Sequence, residues 1–175
     1  MTINLKSLIN RLNETCRTSL EAAAGLCLSR TNYDVEPEHF LLKIIETPDS
    51  DVTRILHHYE IDLGRLNKDI VRSLDRLRTG NTRTPAFSPR LPRLIQEAWI
   101  LASIDFGATK IRSGHLILSL LANDDLARLA RDISREFTNI SLETLNKNFA
   151  EITAGSLEDK EATKFSDHID AWSEK

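Results

Sequence analysis

The chain has few of the residues that break helices or weld small folds. Its 175 residues include six glycines, five prolines and two cysteines, and most of the glycines and prolines fall between runs of helical period. No segment alternates apolar and polar positions with β-branched enrichment, so no sheet is expected. Cys16 and Cys27 sit on one predicted helix, roughly 16 Å apart at 1.5 Å per residue, too far for a disulfide. They read as free buried thiols, which points to a reducing compartment and a cytoplasmic location. No basic n-region with an apolar core opens the chain, and no run approaches the ~18 apolar residues that span a bilayer. Chemistry-bearing motifs are missing too. There is no GxxxxGK[ST] phosphate loop, and no CxxC, HExxH or HxH spacing for a metal. His57 and His58, being adjacent, point about 100° apart on a helix and do not converge on one ion.

What is present is charge of both signs and a helical pattern. The composition, 41% apolar and 28% charged, is that of a globular domain. The net charge of −3 lies entirely in residues 156–175. Residues 65–93 are basic, but they lack interleaved aromatics, and their arginines fall on polar helix positions and a linker. They read as a solvated face rather than a nucleic-acid footprint.

The most informative feature is an internal repeat. At an offset of 76, Arg17, Glu21, Ala22, His39 and Leu42 match Arg93, Glu97, Ala98, His115 and Leu118. Further on, at an offset of 79, Ile61-Asp62-Leu63 through Asn67-Lys68 aligns with Ile140-Ser141-Leu142 through Asn146-Lys147. Each half predicts four helices. In the first, Asn13 caps a helix to about Ser29, and Pro37 opens a second where its missing N–H costs nothing. Asp49 or Ser50 starts a third, and Asp62 caps a fourth. In the second, Ser88-Pro89 lead into a helix through Phe106 and Ser113 caps residues 114–122. Helices near 124–135 and 142–152 follow, and residues 79–86 link the halves. The expected fold is therefore all-α, a pseudo-twofold duplication of a four-helix motif, with repeats at about 13–78 and 88–152 in a domain of residues 1–153.

Two pieces lie outside the duplication. Leu5, Leu8, Ile9 and Leu12 form the apolar stripe of an extra first helix. Residues 154–175 read as an acidic tail or connector, in which Phe165, Ile169 and Trp172 are spaced to permit a short helix. The recurring His39 and His115 each fall in the first turn of a helix, and no Ser, Cys or carboxylate recurs to complete a triad. Their expected role is structural, a ring packed in the core and bonded to neighbouring backbone.

The Glu-Ala helix and the helix-start motifs Pro37-Glu38-His39-Phe40-Leu41-Leu42 and Ser113-Gly114-His115-Leu116-Ile117-Leu118 resemble those of the Clp N-domain. That domain is the double four-helix repeat at the front of Clp/Hsp100 AAA+ unfoldases, and the likeness spans about residues 12–152. Within the superfamily, Pro85-Ala86-Phe87-Ser88-Pro89, Arg112-Ser113-Gly114-His115-Leu116 and Phe137-Thr138-Asn139-Ile140 make it most similar to the ClpV branch. ClpV ATPases recycle the contracted sheath of type VI secretion systems. The resemblance implies a non-catalytic domain that binds the N-terminal helix of the large sheath subunit. It implies no nucleic acid, no membrane and no cofactor, ATP and Mg belonging to the AAA+ modules. The isolated domain is expected to be a monomer and its parent a hexamer. Recognition would be helix-in-groove, with Leu5, Leu8, Ile9 and Leu12 on one wall and Phe87, Leu91, Leu94 and Ile95 on the other. The same residues equally suit docking of the first helix onto the core. An adaptor or unfolded polypeptide, as for ClpB or ClpC, is the alternative partner, and a small enzyme using His39 or His115 is a further reading.

Overall fold

A computed structural model describes residues 4–162. The chain begins with α1 (Leu5–Arg11), started by Asn4, whose side chain accepts from the N–H of Lys6. Helix α2 (Glu14–Ser29) starts at Asn13, whose Oδ1 accepts from the N–H of Cys16. Helix α3 (Pro37–Glu46) has proline in its first turn, α4 (Asp51–His58) is capped by Ser50 and α5 (Leu63–Asp75) by Asp62. The caps predicted for this half are therefore the ones used.

The second half follows the same order with looser ends. Helix α6 (Arg90–Ile100) runs into a π turn at Leu101–Asp105. Then come α7 (Ser113–Ala122) and α8 (Asp124–Ile133), followed by a 3-10 turn at Arg135–Asn139. Last are α9 (Leu142–Lys147) and α10 (Phe149–Ile152), split from what the sequence reads as one helix. Ser113 is not the cap of α7. It is the first helical residue, and Arg112 occupies the cap position.

The expectation of no sheet is corrected in a small and informative way. Strands β1 (Asp34–Val35) and β2 (Ala86–Phe87) pair in parallel, and Leu12 bridges Ile111 in the same sense. The N–H of Ser88 donates to Val35 O at 3.0 Å, and the N–H of Asn13 donates to Ile111 O at 2.9 Å. Each repeat thus pairs its own connecting segment with the lead-in of the other repeat's first helix. A two-residue contact leaves too few side chains to alternate, so no period-2 pattern marks it in the sequence. Pseudo-twofold symmetry shows in the backbone as well: Thr31 (φ 55°) and Gly107 (φ 61°), 76 positions apart, are both left-handed.

One core runs through both halves. Phe40, Ile55, Leu66 and Ile70 from the first, and Ile95, Ile117, Leu118 and Leu145 from the second, are fully buried. At ~1.5–3 kcal/mol per large apolar side chain, this shared core makes the duplication one cooperative unit. Gly114 lets the chain close here, since a Cβ would stand 2.6 Å from the Phe149 ring.

The segment after the second repeat differs from the expected connector. Residues 154–162 pack onto the domain and are helical from 157 to 162. Glu158 is fully buried, as is Ser156. The Glu158 carboxylate accepts from the N–H of Ser113 at 2.6 Å, the N–H of Asp51 at 2.7 Å and Asn13 Nδ2 at 3.0 Å. These donors sit at the N-termini of α7, α4 and α2, where unpaired N–H groups and helix dipoles both favour an anion. Asp51 beside it takes a bidentate pair from Arg112, both bonds at 2.8 Å, and accepts from Ser156 Oγ at 2.7 Å. Burial and the nearby Asp51 raise the Glu158 pKa. The Phe165, Ile169 and Trp172 pattern lies outside the described residues.

Candidate functional site

Helix α1 stands outside the duplicated core and packs on α6, with the Arg11 guanidinium 4.6 Å from the Trp99 ring centre. Leu8 and Leu12 are its buried anchors. Beneath and around them Leu91, Leu94 and Ile95 are buried to 1% exposure or less, so they are core floor rather than open wall. The accessible apolar positions among the eight expected are Leu5 and Ile9, both half-buried, and Phe87, which is 37% exposed. Leu5 and Ile9 share a face of α1 at i, i+4 spacing, and Phe87 ends β2 just before α6.

Two exposed apolar residues were missed from the sequence. Ile100 and Ile104 lie at the end of α6 and in its π turn, 43% and 75% exposed. The buried set of this segment, Leu91, Leu94, Ile95, Ala98 and Ala102, marks the core face. The i, i+4 pair opposite that face was the available signal. π turns recur at functional sites.

The two histidines are structural in the expected way. His39 Nδ1 accepts from the N–H of Glu36 at 2.9 Å, and His115 Nδ1 accepts from the N–H of Arg112 at 3.0 Å. Each thereby satisfies a donor at the start of its helix. Both rings are buried, which lowers their pKa values to about 4 and about 3, with Arg30 and Arg112 adding to the effect. With Nδ1 engaged by backbone and the ring neutral, neither can serve as a general base on that nitrogen. The thiols offer no nucleophile: burial, then Glu158, pushes Cys16 up, and burial raises Cys27 to about 11.

A cleft of about 860 Å³ opens below the C-terminal end of α1, between the first turns of α2, the 106–112 loop and the 149–162 segment. Its inner wall is aromatic. His115 stacks on Phe149 with centroids 5.2 Å apart, and Phe106 tilts against both. Among the described residues no group of three or more His, Cys, Asp or Glu is placed to hold a metal ion, and no helix is long and apolar enough to cross a membrane. His57 and His58 are exposed in the last turn of α4. The basic stretch is partly paired, as in Arg93 with Asp125 at 3.2 Å and Arg65 with Glu136 at 3.6 Å.

Accessible apolar positions on α1 and at the end of β2 thus lie over the buried core of a helical double repeat. The chain belongs to the Clp repeat (R) N-terminal domain family, whose model matches residues 11–133. It is 32% identical over 156 residues to the AAA+ ATPase ClpV1 of Pseudomonas aeruginosa, covering 89% of this chain and 17% of that protein. It is 35% identical over 162 residues to a chaperone protein ClpB of Yersinia enterocolitica, covering 93% and 18%. The chain thus spans under a fifth of the length of these relatives. Among solved structures, the N-domain of ClpV from Vibrio cholerae superposes with a TM-score of 0.78 at 33% identity, covering 90% of this chain and 94% of that one. A complex of the ClpV N-domain with VipB peptide gives 0.79 at 33%, covering 90% and 96%.

Proposed function

We propose that this domain recruits substrate for a ClpV-type unfoldase in the cytoplasm. It would bind an amphipathic N-terminal helix of the contracted type VI secretion sheath protein and pass it to AAA+ modules that disassemble the sheath with ATP. The observation that carries this reading is the arrangement at α1: Leu5 and Ile9 half-open, Phe87 exposed, and a fully buried apolar floor behind them. A guest helix with apolar residues at i, i+3, i+4 and i+7 can bury its stripe there without any rearrangement of the core. Support also comes from the similar ClpV N-domain solved with VipB peptide. No nucleic acid, membrane or cofactor takes part in this step. The domain alone acts as a monomer, and the full ATPase as a hexamer.

The test is a titration of the sheath subunit's N-terminal helical peptide into the full 175-residue chain, followed by calorimetry. Saturable binding at micromolar affinity or better is expected, weakened about tenfold by Phe87→Ala. No saturable heat would overturn the proposal. The identity to ClpB of Yersinia enterocolitica favours a second reading, a ClpB-like domain for unfolded polypeptide. Binding of a reduced, alkylated unfolded protein in preference to the sheath peptide would select it.

A further inference from the structure

The two repeats treat their histidines differently at one atom. In the first repeat both ring nitrogens of His39 are engaged: Nδ1 by the N–H of Glu36, and Nε2 by Asn32 Oδ1 at 2.9 Å. The ring hydrogen therefore sits on Nε2 and is donated to Asn32. In the second repeat the Nδ1 bond is kept, from Arg112. The position equivalent to Asn32, however, 76 residues on, is Ala108. Ala108 has no side-chain acceptor, and among the described residues His115 Nε2 has no hydrogen-bond partner. His115 is only 1% exposed, yet its ring lines the 860 Å³ cleft beside Ala108 and Phe106. The Nε2 hydrogen is therefore left to whatever acceptor enters the cleft.

We propose that this cleft is a second binding site, in which His115 Nε2 donates to a backbone carbonyl of a short peptide segment while Phe106 receives an adjacent apolar side chain. Three observations select that ligand. The wall is apolar and aromatic, which suits an aliphatic or aromatic side chain. The ring nitrogen of His115 that bonds no protein group among the described residues is a neutral donor open to the cleft, which fits a carbonyl. The rim carries Glu14, Glu21 and Glu161 against Arg17 and Lys110, a balance that disfavours an acidic segment. The inference rests on reading the domain as a peptide recruiter, but the cleft meets α1 only at its cap residue Leu12 and includes none of Leu5, Ile9 or Phe87. It would hold the extended stretch of polypeptide that flanks the guest helix.

The test uses the whole chain and a capped, uncharged octapeptide with one central phenylalanine among glycines and serines. Long-range proton–nitrogen correlation spectra follow the His115 ring during titration. A saturable shift at His115 Nε2 is expected. Ala108→Asn, which restores the first repeat's acceptor, should weaken binding at least about tenfold with the helical circular dichroism unchanged. No saturable shift at His115 would overturn the site, and so would equal affinity in Ala108→Asn or equal affinity for the all-glycine analogue. The sheath-helix titration is followed separately at Leu5 and Ile9, so failure of one proposal is not read as failure of the other.

Discussion

Glu158 offers the sharpest test of how the domain is held together. Replacing it with alanine strands the N–H groups of Ser113 and Asp51, which it receives at 2.6 and 2.7 Å, together with Asn13 Nδ2 at 3.0 Å. Ser113 Oγ, which also donates to Glu158, can rotate to other partners. A stranded buried donor costs about 1–3 kcal/mol. Against that, the substitution removes a carboxylate held beside Asp51, a site whose raised pKa shows that the charged form is disfavoured there. Water reaching the vacated space offsets the loss further. The net expectation is a destabilisation of about 2–4 kcal/mol, a large share of a typical domain's stability. With a urea m-value of about 1–3 kcal/mol/M, the midpoint should fall by roughly 1–3 M, read by far-ultraviolet circular dichroism at pH 7. Because the folded-state pKa is raised, the Glu158 contribution falls as pH rises from the unfolded value toward the folded one. Glu158→Gln should remove that slope. A loss under about 0.5 kcal/mol in Glu158→Ala would refute the reasoning, since the 154–162 segment would then be a peripheral attachment.

Other consequences follow from the same geometry. His39 and His115 are held neutral with pKa values of about 4 and about 3, so the unfolded chain binds protons that the native state refuses. Their stability contribution is fully present above pH 6.5 and is lost on acidification toward pH 4, by roughly 3 kcal/mol for each histidine; equal urea midpoints at pH 7 and pH 4.5 would contradict this. Gly114→Ala puts a methyl 2.6 Å from Phe149 and 3.1 Å from Asp51 Cβ. It should cost about 1–3 kcal/mol, seen as a lower Tm. Leu91→Asp buries an unpaired charge at a fully buried position and should leave little folded protein by circular dichroism. Phe87→Ala should change Tm by a degree or two while reducing peptide affinity, separating floor from docking surface.

Local chemistry made much of the fold legible in the chain. Asn13, Ser50 and Asp62 each stand where a polar side chain can hold the N–H three residues on, and Pro37 can only begin a helix. The 76-residue offset placed His39 and His115 in equivalent turns, and their Nδ1 bonds span three residues, so they too were readable. Ser113 misled because a serine ahead of a helix resembles a cap, whereas its N–H is taken by a residue 45 positions away.

Tertiary structure alone decided the rest. Glu158 reads as one acid in an acidic tail, because its partners lie 45 to 145 residues away. Periodicity marks Leu5, Leu8, Ile9 and Leu12 as one stripe, but only packing against α6 divides them into buried anchors and accessible docking positions. A sequence fixes which face of a helix is apolar. How much of that face stays open depends on what folds against it.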